Sequence, residues 1–168
     1  MAKQLAAVWD IGKTNAKLAL ADLATGAVEA TATASFPSLA GPPYRRLDVD
    51  SLWNWFGAEL GRLAAGRRLE AVAVTAHGAC GAVVGDEGLA LPVYDYEDLA
   101  ADEAEAEYAK LRPPFAETFS PPLPGGLNYG KSLFWQARSF PEEFARARHI
   151  LSYAQYWSWM LCGVAATE

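Results

Sequence analysis

The chain is short of the features that mark several large classes of protein. Basic residues do not prevail: 14 Lys and Arg stand against 20 Asp and Glu, for a formal charge of −6. Nucleic acids and anionic membranes call for a basic face, so neither is an expected partner. No apolar run approaches the roughly 20 residues that span a bilayer. Met1-Ala2-Lys3-Gln4 leads into five apolar residues and then Asp10, too short a stretch for a signal-peptide core. Cys80 and Cys162 lie far apart, without metal-like or redox-like spacing, and read as reduced thiols of a cytoplasmic protein. Internal repeats and low-complexity tracts are absent. What remains is a globular composition, 52% apolar and 20% charged. At 168 residues the chain is long enough for one domain with a real core and short for two.

The most informative stretch is Asp10-Ile11-Gly12-Lys13-Thr14-Asn15-Ala16-Lys17. Apolar runs flank it, Leu5–Trp9 before and Leu18–Ala21 after, and both read as short β-strands. A carboxylate ending one strand, then small residues with accessible N–H groups, then lysine, suits a nucleotide phosphate and its metal. Mg²⁺ takes oxygen ligands, directly or through water. Phosphates take unhindered amides and a compact cation. A plain hairpin with polar turn residues would have the same composition, so both readings stand at this point. The spacing matches neither the G-x-x-x-x-G-K-S/T phosphate loop nor the G-x-G-x-x-G dinucleotide turn, and a strand rather than a helix follows.

Ala27–Phe36 alternates, is rich in Thr, and reads as a third strand after a turn at Thr25-Gly26. Three consecutive antiparallel strands suggest the opening meander of a ribonuclease-H-like domain. Pro37–Leu47 is a loop; Asp50 is expected to cap a helix carrying Leu52, Phe56, Leu60 and Leu63, with Gly66 ending it. Glu70–Thr75 reads as a strand, with Ala71-Val72-Ala73-Val74 continuous and apolar, as a strand buried on both faces would be. A hairpin is expected around Asp86-Glu87-Gly88, a strand over Leu89–Val93, and an exposed helix without chemistry over Ala100–Leu111. A proline-rich loop follows, then helices over Lys131–Phe140 and Glu142–Arg148, a strand at Ile150-Leu151, and a helix over Gln155–Cys162 ended by Gly163.

Two further segments can carry chemistry. His77-Gly78-Ala79-Cys80-Gly81 follows the apolar strand, at the end of the sheet where ligands gather; the same segment could be a tight turn with a satisfied histidine. Tyr94-Asp95-Tyr96-Glu97 offers two carboxylates and two phenols for a polyol, or an ordinary polar strand end. The tryptophans Trp53, Trp55, Trp157 and Trp159 read as core.

In order and spacing these segments resemble the N-terminal domain of the FGGY carbohydrate kinases, over nearly the whole chain. Asp10–Lys17 resembles the family's D-x-G-T/S-S/T-x-x-K/R, with Lys13 in place of the usual Thr or Ser. Asp50-Ser51-Leu52-Trp53-Asn54-Trp55 is similar to its D-P-x-x-W/L-W helix start. Ala73–Gly78 falls where the family strand delivers sugar contacts, and Pro92–Glu97 stands in for P-x-I-x-W/Y-x-D. Gly130–Trp135 is similar to x-K-L-x-W, and Tyr153–Gly163 to the K-D-Y helix, with Ala154-Gln155-Tyr156 in its place.

The resemblance implies an α/β, ribonuclease-H-like mixed sheet with flanking helices, of the actin and hexokinase superfamily, as an incomplete N-terminal domain over residues 1–168. It implies ATP and Mg²⁺ as cofactors and a ketose or polyol as substrate, with a deoxyketose such as rhamnulose or fuculose suggested by the cluster ending in Glu97. Asp10 is expected at the metal, and Gly12, Lys13, Thr14, Asn15 and Lys17 at the phosphates. His77, Gly78, Asp95, Tyr96 and Glu97 are expected to converge on the sugar, with Lys131 or Tyr156 at the rim. No catalytic residue is assigned within the chain, since the family's general base is an aspartate further downstream. The ATP-binding second domain also follows later, and Thr167-Glu168 resembles the opening of the segment between. These residues alone are therefore expected to be inactive, and a homodimer is compatible with the full-length protein. A non-catalytic ribonuclease-H-like binding module and an actin- or chaperone-type ATPase are the competing readings.

Overall fold

The computed structural model describes residues 4–166, so the expected Thr167-Glu168 opening lies outside the described residues. The chain divides into two compact units. One contains the N-terminal residues to Ser38 together with Asp48–His77; the other contains Leu39–Leu47 and the residues from Gly78 onward.

The first unit is a four-stranded sheet and one helix. Strands β1 (Leu5–Ile11), β2 (Asn15–Asp22) and β3 (Val28–Ser35) form the expected antiparallel meander. Helix α1 (Val49–Ala64) then returns the chain so that β4 (Leu69–Ala76) pairs parallel to β1, giving the order β3-β2-β1-β4. A parallel partner needs such a crossover, because a tight turn only reverses direction. The core lies under α1: Trp9, Leu18 and Leu20 are buried, and Trp9 stacks on Phe56 with ring centroids 4.0 Å apart.

Two expectations fail here. The helix cap is Asp48, whose Oδ1 accepts from Ser51 N at 3.1 Å, and Asp50 sits in the first turn. Val49 is buried and belongs to the helix, which moves the start toward the N-terminus. β4 is largely exposed rather than buried on both faces, because it is the edge strand of this sheet and α1 packs chiefly over β1–β3.

The second unit has a small antiparallel sheet of order β6-β5-β7, from β5 (Gly81–Gly85), β6 (Gly88–Leu89) and β7 (His149–Ser152). A 3-10 helix (Ala100–Ala104) runs into α2 (Glu105–Leu111); α3 (Phe115–Thr118), α4 (Tyr129–Ser139), α5 (Pro141–Phe144) and α6 (Tyr153–Cys162) follow. Gln155 Oε1 accepts from Ser152 N at 3.0 Å to close the start of α6, and Gly163 ends it at φ 73°. Tyr44, Tyr94, Ala101, Ala104 and Trp135 make a hydrophobic core cluster.

The strand expected over Leu89–Val93 stops at Leu89. Beyond it, Leu91 and Val93 are buried and Tyr94 bridges to Arg46 instead of extending the hairpin. The helix expected over Glu142–Arg148 is a single turn ending at Phe144, since Arg148 N is drawn to Val84 O at 2.7 Å. Trp9, Trp135 and Trp157 are core residues, while Trp53, Trp55 and Trp159 are only half-buried.

Candidate active site

β1 ends on Asp10-Ile11 and the chain reverses at once. Gly12 N donates to Asn15 O at 2.9 Å, closing a turn over Lys13-Thr14. A Cβ on Gly12 would stand 3.0 Å from that oxygen, so bare backbone keeps the turn tight. Phe36 N donates to Thr14 O at 2.6 Å, which holds the turn to the end of β3. The extra cation, Lys13, donates through Nζ to Ser38 Oγ at 2.9 Å.

Strand register sets the company that Asp10 keeps. Asp10 lies opposite Lys17 on β2 and Thr75 on β4, and Lys17 lies opposite Thr33 on β3. Directly paired residues on adjacent strands project to one face. An exposed polar row, Thr33–Lys17–Asp10–Thr75, therefore crosses the whole sheet. The neighbouring row on the opposite face carries buried Trp9 and Leu18, so a one-residue slip in register would bury the carboxylate. His77 N donates to Ile11 O at 2.9 Å, extending the β1–β4 pairing one residue beyond β4. His77 is half-buried, with its Nε2 fully enclosed. The first unit thus brings Asp10, Gly12, Lys13, Thr14, Asn15, Lys17 and His77 to one end of its sheet.

Among the described residues no group of three or more His, Cys, Asp or Glu side chains could hold a metal ion. An exposed single carboxylate fits Mg²⁺ all the same, because that ion keeps most of its waters and takes one or two carboxylates plus substrate phosphates.

The second unit carries Gly78 and the Tyr94–Glu97 segment. Asp95 is 0% exposed, and its Oδ2 lies 2.8 Å from Arg45 Nε. Its Oδ1 accepts from Glu97 N at 3.0 Å, which folds the segment into a turn. Glu97 Oε2 lies 3.5 Å from Arg45 Nη2. The Tyr94 hydroxyl donates to Asp98 O at 2.7 Å and accepts from Ala101 N at 3.0 Å; burial raises its pKa far above the ordinary phenol value. Gly126 N donates to Tyr96 O at 2.9 Å, and a Cβ on Gly126 would fall 2.7 Å from the Tyr94 ring.

Gly126 belongs to the proline-rich loop, which hangs on Lys131. Expected at a cleft rim, Lys131 is 1% exposed, with Nζ 2.6 Å from Asp102 Oδ1 and 3.0 Å from Glu105 Oε2. It also donates to Leu123 O at 2.8 Å, while Gly125 N donates to Asp102 Oδ1 at 2.8 Å. Burial pulls the Lys131 pKa down, but hydrogen bonds and charge from Asp102 and Glu105 outweigh it, and the net shift is upward. The Lys131 hydrogen bond holds Asp102 below the usual carboxylate range. Tyr156, the other proposed rim residue, is buried against Trp157.

Over 100% of its length the chain matches a carbohydrate kinase from Novosphingobium aromaticivorans, at 36% identity and a TM-score of 0.92, covering 35% of that chain. The chain resembles the N-terminal portion of the carbohydrate kinases. Its fold is the mixed sheet with flanking helices of the actin and hexokinase superfamily. A xylulose kinase from Rhodospirillum rubrum matches at 20% identity and a TM-score of 0.78, over 98% of this chain and 36% of that one. A gluconate kinase from Lactobacillus acidophilus matches at 17% and 0.77, over 98% and 35%. At those identities the likeness is one of fold alone. The chain thus spans about 35% of the length of the first of these kinases. No protein-family model and no curated protein matches it.

Within these residues three features escape the sequence. Arg45 sits in a loop 50 positions before its partner Asp95, and no local pattern joins them. The acid run Ala100–Leu111 is not a solvated face: Asp102 and Glu105 hold Lys131, and Trp135 Nε1 donates to Glu103 at 3.3 Å. Thr75 becomes a neighbour of Asp10 only through β1–β4 register.

Proposed function

We propose that the chain is the front portion of an ATP-dependent sugar kinase that phosphorylates a hydroxyl of a ketose or polyol in the cytoplasm. One observation carries this reading. Asp10 is an exposed carboxylate ending a central strand beside a tight glycine turn, in a chain 36% identical to a carbohydrate kinase. Asp10 would hold Mg²⁺, mainly through its waters, and the bound ion supplies charge neutralisation on the phosphates. The turn Gly12, Lys13, Thr14 and Asn15 leaves bare backbone for the phosphates, with the ammonium of Lys17 as their cation. His77, Gly78, Asp95, Tyr96 and Glu97 are assigned to the sugar by the resemblance. Phosphoryl transfer depends mostly on positioning and electrostatics, so these groups bind and orient rather than react. The base that takes the hydroxyl proton is assigned beyond these residues, and residues 1–168 by themselves are expected to release no ADP.

The test is Asp10→Asn in the full-length gene product. Losing a group that meets the transferring charge typically lowers turnover about 10²–10³-fold. Mg²⁺ demand should rise, and the unfolding temperature should hold because Asp10 is exposed. Near-normal turnover with unchanged Mg²⁺ dependence would refute the assignment.

A further inference from the structure

Asp95 is wholly enclosed, yet the guanidinium it grips is not. Arg45 is 46% exposed and Glu97 50% exposed, and they face each other across 3.5 Å. The buried carboxylate takes Arg45 Nε–H on one oxygen and Glu97 N–H on the other. One anchored group therefore orients both the cation and the backbone that carries the acid. We infer that Arg45 and Glu97 form a donor–acceptor clamp for two adjacent hydroxyls of a neutral polyol, with Asp95 as their positioning residue. This rests on the reading of the Tyr94–Glu97 turn as part of a sugar site, and it names the class of sugar.

A guanidinium offers N–H donors in a fixed fork and no acceptor, while a carboxylate only accepts. A vicinal diol presents an oxygen to the first and an O–H to the second, so it satisfies both without any proton changing hands. Charge selects against a sugar acid. Arg45 brings one positive charge; Asp95, Glu97 and Asp98 bring three negative ones, Asp98 Oδ2 accepting from Arg45 N at 2.8 Å. An aldonate carboxylate beside Glu97 would meet repulsion. Half-buried Tyr96 adds an aromatic ring for the sugar's C–H surface.

The test is steady-state kinetics of the full-length gene product on a panel of neutral ketoses and polyols and on D-gluconate. Arg45→Lys should raise KM for the best neutral substrate about 10- to 100-fold and change kcat far less, as expected for a lost hydrogen-bonding pair made in ground and transition states alike. Glu97→Gln should raise the same KM and also raise kcat/KM for D-gluconate. Thermal unfolding shows whether each variant is folded; if Arg45→Lys is not, exposed Glu97→Gln decides alone. Unchanged KM in the folded variants, or a wild-type preference for D-gluconate, overturns the clamp. A wild type that releases no sugar-dependent ADP overturns the kinase reading and the clamp with it, and is distinct from a clamp failure, in which wild-type turnover persists.

Discussion

Replacing Lys131 by Met tests whether the proline-rich loop hangs on one buried cation. The stem volume is nearly kept, so the change isolates the ammonium. Its loss leaves Leu123 O without that donor and two carboxylates without their cation. Breaking a fully buried pair costs about 3–5 kcal/mol. Here Asp102 and Glu105 are 38% and 41% exposed and regain water, so the cost is discounted to about 2–3 kcal/mol. For a chain of this length that corresponds to a fall in unfolding temperature of roughly 4–12 °C. Urea unfolding followed by tryptophan fluorescence reads it directly. pH gives a second signature. The Lys131 hydrogen bond holds the Asp102 pKa below the ordinary aspartate value, so its contribution is present above that ordinary value and is lost as pH falls through the lower folded value. Lys131 is raised from 10.5, so its contribution is present below that pH and is lost as pH rises through the higher folded value. The contribution of this pair should be flat between those limits, and Lys131→Met should blunt both limbs. The double variant Lys131→Met, Asp102→Asn supplies the control. If the two changes are additive within about 0.5 kcal/mol, the pair is not coupled and the reasoning fails.

Asp48→Ala should cost about 1 kcal/mol by removing the cap of α1, whereas Asp50→Ala loses only a first-turn charge worth about 0.3–1 kcal/mol; the reverse order in denaturation curves would restore Asp50 as the cap. Phe56→Ala should destabilise the first unit by about 3–5 kcal/mol, because it removes the ring stacked on Trp9. Gly81→Ala should be among the worst small substitutions, since the new methyl would fall 1.7 Å from the Tyr129 hydroxyl, whose pKa burial raises to about 12. Tyr129→Phe should spare the fold by comparison, losing one hydrogen bond to Leu151 O worth about 1 kcal/mol, and a Gly81→Ala protein as stable as wild type would contradict the packing.

The two candidate regions were unequally legible, for a physical reason. The hairpin at Asp10 is local: two short apolar runs, a glycine turn and period-two alternation specify the pairing, and pairing specifies which face the carboxylate takes. Asp48 is not legible as the cap, because Val49 counts as core only once the sheet beneath α1 is known. β4 reads as buried because composition reports how apolar a strand is, not whether it lies at an edge. The second unit defeats local reading altogether. Leu89–Val93 has strand-like residues, yet Leu47 N bonds Val93 O at 3.0 Å and Asp95 N bonds Arg45 O at 3.0 Å, partners some 50 positions away. Likewise the Ala-acid run looks like any solvated helix until Lys131 is placed beneath it.

That difference bears on which of the two regions tolerates substitution. Asp10 is held by backbone ladders on both sides, to β2 and to β4, so its position survives almost any surface substitution nearby. The Arg45–Glu97 pair is held by side chains, half in water, where an ion pair contributes about 0–1 kcal/mol to folding. Altering either residue therefore costs the fold little and moves the hydrogen bonds offered to the proposed ligand by a whole donor or acceptor. Asp95 is the exception within the turn, since changing it weakens the one buried acceptor shared by Arg45 Nε and the Glu97 amide. Asp95→Asn should consequently lower stability by about 1–3 kcal/mol, while Glu97→Gln leaves it within about 0.5 kcal/mol. Equal stability of the two variants in urea would show that the turn is not anchored where the buried carboxylate places it.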